Sequence, residues 1–164
     1  MNITFIGMPG AGKSTLGKKV AELLHYHFID VDLLIEQKER LKLPEVLAKY
    51  GEKRFLELEE ETIFSLGVLQ NSILSPGGSV IYLEKAMEFL KNNSIMVFLD
   101  VPFPMIERRI GSAPRGIIGL QEKSLEQLFL ERKILYEKYA DVIVKISEDS
   151  GVEAVVQEVL KVLP

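Results

Sequence analysis

Two rhythms of apolar and polar positions alternate along the chain. Short apolar runs at "NITFI" (2–6), "HFIDV" (27–31), "SILS" (72–75), "SIMVFLD" (94–100) and "DVIVKI" (141–146) read as five strands. After the first run, Leu16, Val20, Leu23 and Leu24 recur at helical spacing, so a helix follows there. Residues 32–41 look helical, and Pro44 suits the first turn of a short helix ending near Gly51. The next helix, 52–66, carries Phe55, Leu58, Thr62, Ile63 and Leu66 on one side. Others are predicted at about 83–91, 102–110, 124–139 and 151–162, the last with a stripe of Val152, Val155, Val156, Val159 and Leu160. Strands alternating with helices predict an α/β fold, a five-stranded parallel sheet covered by helices on both faces.

No internal repeat or linker splits residues 1–164, so one domain is expected. Residues 111–124, "GSAPRGIIGLQEKS", lack clear periodicity, and irregular segments of that length are often functional lids. Composition narrows the function more than the fold. With 27% charged residues and a formal net charge of −4, broad binding to nucleic acid or an anionic membrane is not expected. The absence of cysteine excludes disulfides, thiolate zinc sites and cysteine nucleophiles. No apolar run approaches the ~20 residues of a membrane helix, and "NITFI" is too short for a signal peptide. A monomer in the cytoplasm is the expectation.

The first strand runs into "GMPGAGKST", which fits G-x-x-x-x-G-K-[ST] with Gly7, Gly12, Lys13 and Ser14. Gly10, Ala11, Gly12 and Thr15 supply backbone amides to the same loop, and successive amides in a tight turn form an anion nest. The helix that follows presents its positive end to the same spot. Lys13 is placed to reach the β- and γ-phosphates of ATP, and Ser14 to hold Mg²⁺.

Asp30 and Asp32 end the second strand, where residues two apart face the same way, roughly 6–7 Å from each other. One carboxylate, assigned to Asp30, could act on metal-bound water. The other, Asp32, could accept a hydroxyl hydrogen bond and help to deprotonate it. Either could instead cap the next helix. In "SPGGSV" (75–80), Gly77 and Gly78 would let backbone amides approach a ligand, or would merely form a turn. Arg115 lies in the suspected lid, where a cation could close over phosphates. Arg132, inside a helix, reads from spacing alone as a solvated residue in an i,i+4 pair. His25 and His27 look like packing or surface residues, and "ELEEE" (57–61) like a solvated helix face.

Together these motifs resemble the shikimate kinase family, small P-loop kinases related in fold to nucleoside monophosphate kinases. The resemblance covers essentially the whole chain in motif order: "GMPGAGKSTLGKKVAELL", "FIDVD", "GEKRFLELEEE", "ILSPGGS", "APRGII" and "ERKILYEKYAD". It implies ATP-dependent phosphorylation of a hydroxyl, shikimate to shikimate 3-phosphate, within aromatic amino acid biosynthesis. It also implies that Asp32 contacts the acceptor hydroxyl, that Arg132 binds the acceptor, and that Arg115 is the lid arginine. Arg108 or Arg109 falls near the family's adenine-stacking arginine; Arg109 is the assignment taken here.

The departures cluster on the acceptor side and in the lid. Leu56 stands where the family has an arginine that shares the substrate carboxylate with the residue matching Arg132. Glu59 thereby loses its expected partner. Ser79 replaces the third glycine, Pro76 precedes the first two, and Gly116 replaces a lid proline. A charge-assisted hydrogen bond contributes ~1.5–3 kcal/mol, so Leu56 forfeits roughly ten- to 150-fold in binding. Arg54, about 200° around the helix from Leu56, is a poor substitute. Alternative expectations are therefore another small hydroxylated acceptor, a nucleoside or nucleotide kinase, or an ATP-binding regulatory protein.

Overall fold

A computed structural model describes residues 1–111 and 116–164. Five strands, β1 (Asn2–Ile6), β2 (His27–Asp30), β3 (Ser72–Ser75), β4 (Ile95–Asp100) and β5 (Val142–Lys145), form one sheet. Their order is β2-β3-β1-β4-β5, and every pairing is parallel. The fold is that of a P-loop kinase of the nucleoside-monophosphate-kinase type. The burial of each strand follows its place in the sheet. The inner strands carry unbroken apolar runs, and Ile3, Phe5, Ile73, Met96 and Val97 are fully buried. The edge strands β2 and β5 admit His27 and Lys145 because one flank meets solvent.

The helices are α1 (Lys13–Leu24), α2 (Val31–Glu39), α3 (Leu43–Ser65), α4 (Glu84–Asn93), α5 (Phe103–Ile110), α6 (Leu125–Tyr139) and α7 (Val152–Val162). The helix from Pro44 and the helix from residue 52 abut to make α3. Gly51, at φ 77° and ψ 170°, breaks it where a left-handed residue is needed. Phe55, Leu58, Thr62 and Ile63 are buried on its inner side. A short 3-10 turn, Gly78–Tyr82, follows β3, where no regular element was expected. None of the described helices is long and apolar enough to cross a membrane.

One expectation is corrected here. Asp32 does not belong to β2: the strand ends at Asp30, and Asp32 lies in the first turn of α2. The cause is local. Asp30 is itself the N-cap, its Oδ1 accepting from the Leu33 N–H at 3.2 Å, so the helix begins at once.

Because all strands run the same way, Ile6, Asp30, Ser75 and Asp100 end at one edge of the sheet. Ligands of open α/β sheets bind in the crevice outside those carboxyl ends. α6 reaches the same edge. Its buried residues, Leu128, Arg132 and Tyr136, are spaced four apart and form a single stripe. The Tyr136 ring stacks on Phe98 at 5.2 Å, and its hydroxyl donates to the Gly78 carbonyl at 2.6 Å. That bond fixes the roll of α6 and turns Arg132, one helical turn earlier, toward the crevice.

Candidate active site

The loop between β1 and α1 is shaped by its glycines. Gly10 and Gly12 have φ of 80° and 95°, values that side-chain-bearing residues adopt only with strain. Lys13 is buried and folds back over the loop, its Nζ donating to the carbonyls of Gly7 at 2.9 Å and Met8 at 3.0 Å. Burial lowers its pKa to about 8, so it still carries its charge at neutral pH. Ser14 Oγ donates to Asp30 Oδ2 at 2.6 Å and lies 3.3 Å from Ser75 Oγ. Asp30 thus caps α2 with one oxygen and holds Ser14 with the other. Arg109 donates to the Gly10 carbonyl at 2.9 Å, whereas Arg108 turns outward to Glu148 at 2.7 Å. Of that pair, only Arg109 borders the cavity.

The cavity encloses about 810 Å³ and runs from the glycine loop to Asp32, Gly77, Gly78 and Arg132. Gly77 and Gly78 are needed for packing as much as for ligand access. A Cβ on Gly77 would lie 2.8 Å from Glu59 Oε1 and 2.9 Å from Asp32 Oδ1. One on Gly78 would lie 2.6 Å from Pro9 Cδ of the phosphate loop. The two glycines therefore let the loop, Asp32 and Glu59 converge. The expectation that the Gly77 amide is open to a ligand is corrected, because it donates to Glu59 Oε1 at 2.9 Å.

Glu59, read from its charge run as part of a solvated face, is 0% exposed. Ser79 Oγ donates to its other oxygen at 3.1 Å. A hydroxyl and an amide, not a guanidinium, thus satisfy this carboxylate. Ser79, which departs from the family's glycine, is one of the two groups that do so. Burial, aided by the nearby Asp32 charge, pushes the Glu59 carboxyl up to about 8. The folded protein therefore holds this proton longer than the unfolded chain does. Its contribution to stability is whole below about pH 4.5 and is lost as pH rises through about 8. The Tm of the ligand-free protein should accordingly fall between pH 6 and 8, and Glu59→Gln should flatten that fall. An equal fall in the Gln variant, followed by thermal unfolding, would contradict this account of Glu59.

Arg132 is 1% exposed, which corrects the solvated reading from spacing. One terminal nitrogen donates to the Ile118 carbonyl at 2.8 Å, and the guanidinium lies 5.3 Å from the Tyr82 ring centroid. Its Nε has no hydrogen-bond partner among the described residues. A buried donor left unpaired is costly, and the residue that carries it borders the cavity. Arg54, by contrast, pairs with Glu57 and Glu61 at the surface. Leu56 is half-buried against the core and does not border the cavity, although its neighbour Phe55 does. Gly116 has φ 61°, which proline cannot adopt, so glycine suits this backbone where the family pattern has proline. Arg115, the expected lid cation, lies outside the described residues.

A family model described as shikimate kinase matches residues 9–164. The chain belongs to the shikimate kinase family. It is a phosphotransferase, carrying out the ATP-dependent phosphorylation of a hydroxyl of shikimate. A shikimate kinase of Aquifex aeolicus is 35% identical over 161 residues, covering 98% of this chain and 94% of the relative. One from Caldanaerobacter subterraneus subsp. tengcongensis is 32% identical over 163 residues, with 98% and 94% covered. Among solved structures, the shikimate kinase from Acinetobacter baumannii in complex with shikimate superposes with a TM-score of 0.86 at 31% identity. That match covers 98% of this chain and 90% of the other. For a shikimate kinase, motif reading missed Glu36 and Lys42, which border the cavity from α2 and the α2–α3 junction. Neither belongs to a motif, and only the fold brings them there.

Proposed function

We propose that the two ends of the cavity divide the reaction between them. The glycine loop, Lys13 and Arg109 receive ATP, and Asp32, Arg132 and Gly78 receive shikimate. The observation that carries this reading is the buried Arg132 with its unpaired Nε, in one cavity with Asp32 and the phosphate loop. An acceptor carboxylate would satisfy that nitrogen, and a hydroxyl on the same ring would meet Asp32. The family's usual acceptor is favoured over the alternatives even though Leu56 adds no charge.

The donor set fits Mg²⁺. The Ser14 hydroxyl and the Asp30 carboxylate are hard oxygen donors 2.6 Å apart at the head of α1. No cluster of three or more His, Asp or Glu stands ready among the described residues, so phosphates and water would complete the shell. When bound, the ion would offset negative charge on the phosphates. Ser14 would bind it directly and Asp30 through water.

Asp32 orients the attacking hydroxyl and takes its proton. Burial raises its carboxyl to about 6, which leaves it mostly ionised at pH 7 yet close to the range where proton acceptance is most efficient. Lys13 offsets charge on the transferring group, and Arg115 is assigned the same task from the lid. Catalysis on this account is mainly positioning and charge neutralisation.

Arg132 gives the test of the acceptor end. Arg132→Leu should raise the KM for shikimate roughly ten- to 150-fold, as expected for losing one charge-assisted hydrogen bond. The KM for ATP should change little, and Arg132→Lys should recover part of the loss. Steady-state kinetics on protein shown to be folded would measure both. An unchanged shikimate KM in Arg132→Leu would remove this residue from acceptor binding.

A further inference from the structure

Resting on the reading above, we infer that Lys42 is a second cation for the acceptor carboxylate, supplying from the α2–α3 junction a charge that position 56 does not. Four described cations border the cavity: Lys13, Lys42, Arg109 and Arg132. Lys13 and Arg109 are committed to carbonyls of the phosphate loop. Arg132 is anchored to the Ile118 carbonyl. Lys42 alone is held by another side chain, its Nζ donating to Glu36 Oε2 at 3.0 Å, and that lysine side chain is 75% exposed. The ammonium end of the pair stands in solvent, where ion pairing is weak, so Lys42 can turn to a ligand at little cost.

Its placement is set by the backbone. Glu36 Oε1 accepts from the Leu43 N–H at 3.2 Å, so one carboxylate holds both the lysine and the start of α3. Glu36 lies four residues after Asp32 on α2, on the same face and about 6 Å along the helix axis. Both border the cavity. The α2 backbone therefore places Glu36, the residue that holds the ammonium, about one helical turn beyond the residue assigned to the reacting hydroxyl. That separation is of the same order as the span from a hydroxyl to a carboxylate across a six-membered ring. The Lys42 N–H is already engaged by Glu45 Oε2 at 2.8 Å, so the side chain, not the helix end, is what the residue offers.

Steady-state kinetics with shikimate and with its uncharged methyl ester give the test. Lys42→Met should raise the KM for shikimate about fivefold, in the range for a solvent-exposed ion pair. It should leave kcat and the KM for ATP within twofold, and leave the KM for the ester unchanged. Lys42→Arg should restore the wild-type KM, and Lys42→Glu should raise it further than Met does. A merely structural lysine would lower Tm and change both substrates alike. A wild-type enzyme that turns over shikimate while Lys42→Met leaves its KM unaltered, or shifts acid and ester equally, overturns the inference. A wild type that does not turn over shikimate overturns the proposed function, and this inference with it.

Discussion

Lys13→Ala should lower kcat by about 10³-fold while the protein stays folded. The ammonium is the one buried lysine among the described residues, and it sits over the loop carbonyls of Gly7 and Met8. In a water-poor site a preorganised charge aimed at the developing negative charge is typically worth ~10²–10³ in rate. Stability should change little, because two effects oppose each other. Alanine leaves two carbonyls without their donor, but it also removes a charge whose burial is costly enough to lower its pKa to about 8. Rapid-quench assays paired with thermal unfolding separate chemistry from folding. A folded Lys13→Ala protein with wild-type kcat would take this lysine out of the transfer step.

The second large effect is expected at Asp32. Asp32→Asn keeps the size of the side chain but removes the proton acceptor, so kcat should fall by about 10²–10⁴, the usual range for a positioned general base. The KM for ATP should hold, since the glycine loop is untouched. Stability should hold or improve, because the substitution removes one of two neighbouring carboxylates that both approach Gly77. Turnover within tenfold of wild type would mean that the hydroxyl loses its proton without help from Asp32.

The sequence made the fold legible where burial leaves a simple pattern. The inner strands are unbroken apolar runs, and the phosphate loop carries its glycines at fixed spacing, so both were readable. The placement of Asp32 on β2 failed because a capping aspartate and a strand-ending aspartate look alike in sequence. Asp30 turned out to serve as cap and as partner of Ser14 at once. Glu59 was misread from its charge run and Arg132 from a local ion-pair pattern. Each sits among charged neighbours, yet Glu59 falls four residues after Phe55 and three before Thr62, and Arg132 midway between Leu128 and Tyr136, so both lie on the stripes that α3 and α6 bury. Resemblance to the family repaired the reading of Arg132. It could not show that Ser79 and the Gly77 amide would satisfy Glu59 where an arginine was missing. Lys42 was silent because no motif contains it.

The central claim is that one cavity joins a triphosphate cradle to a shikimate site. Phosphorus NMR of the purified protein with ATP, Mg²⁺ and shikimate tests it most directly. The account predicts one new phosphate monoester per ADP formed, with both signals absent when shikimate is omitted. ADP release that does not depend on shikimate, or no monoester at any shikimate concentration, would contradict it.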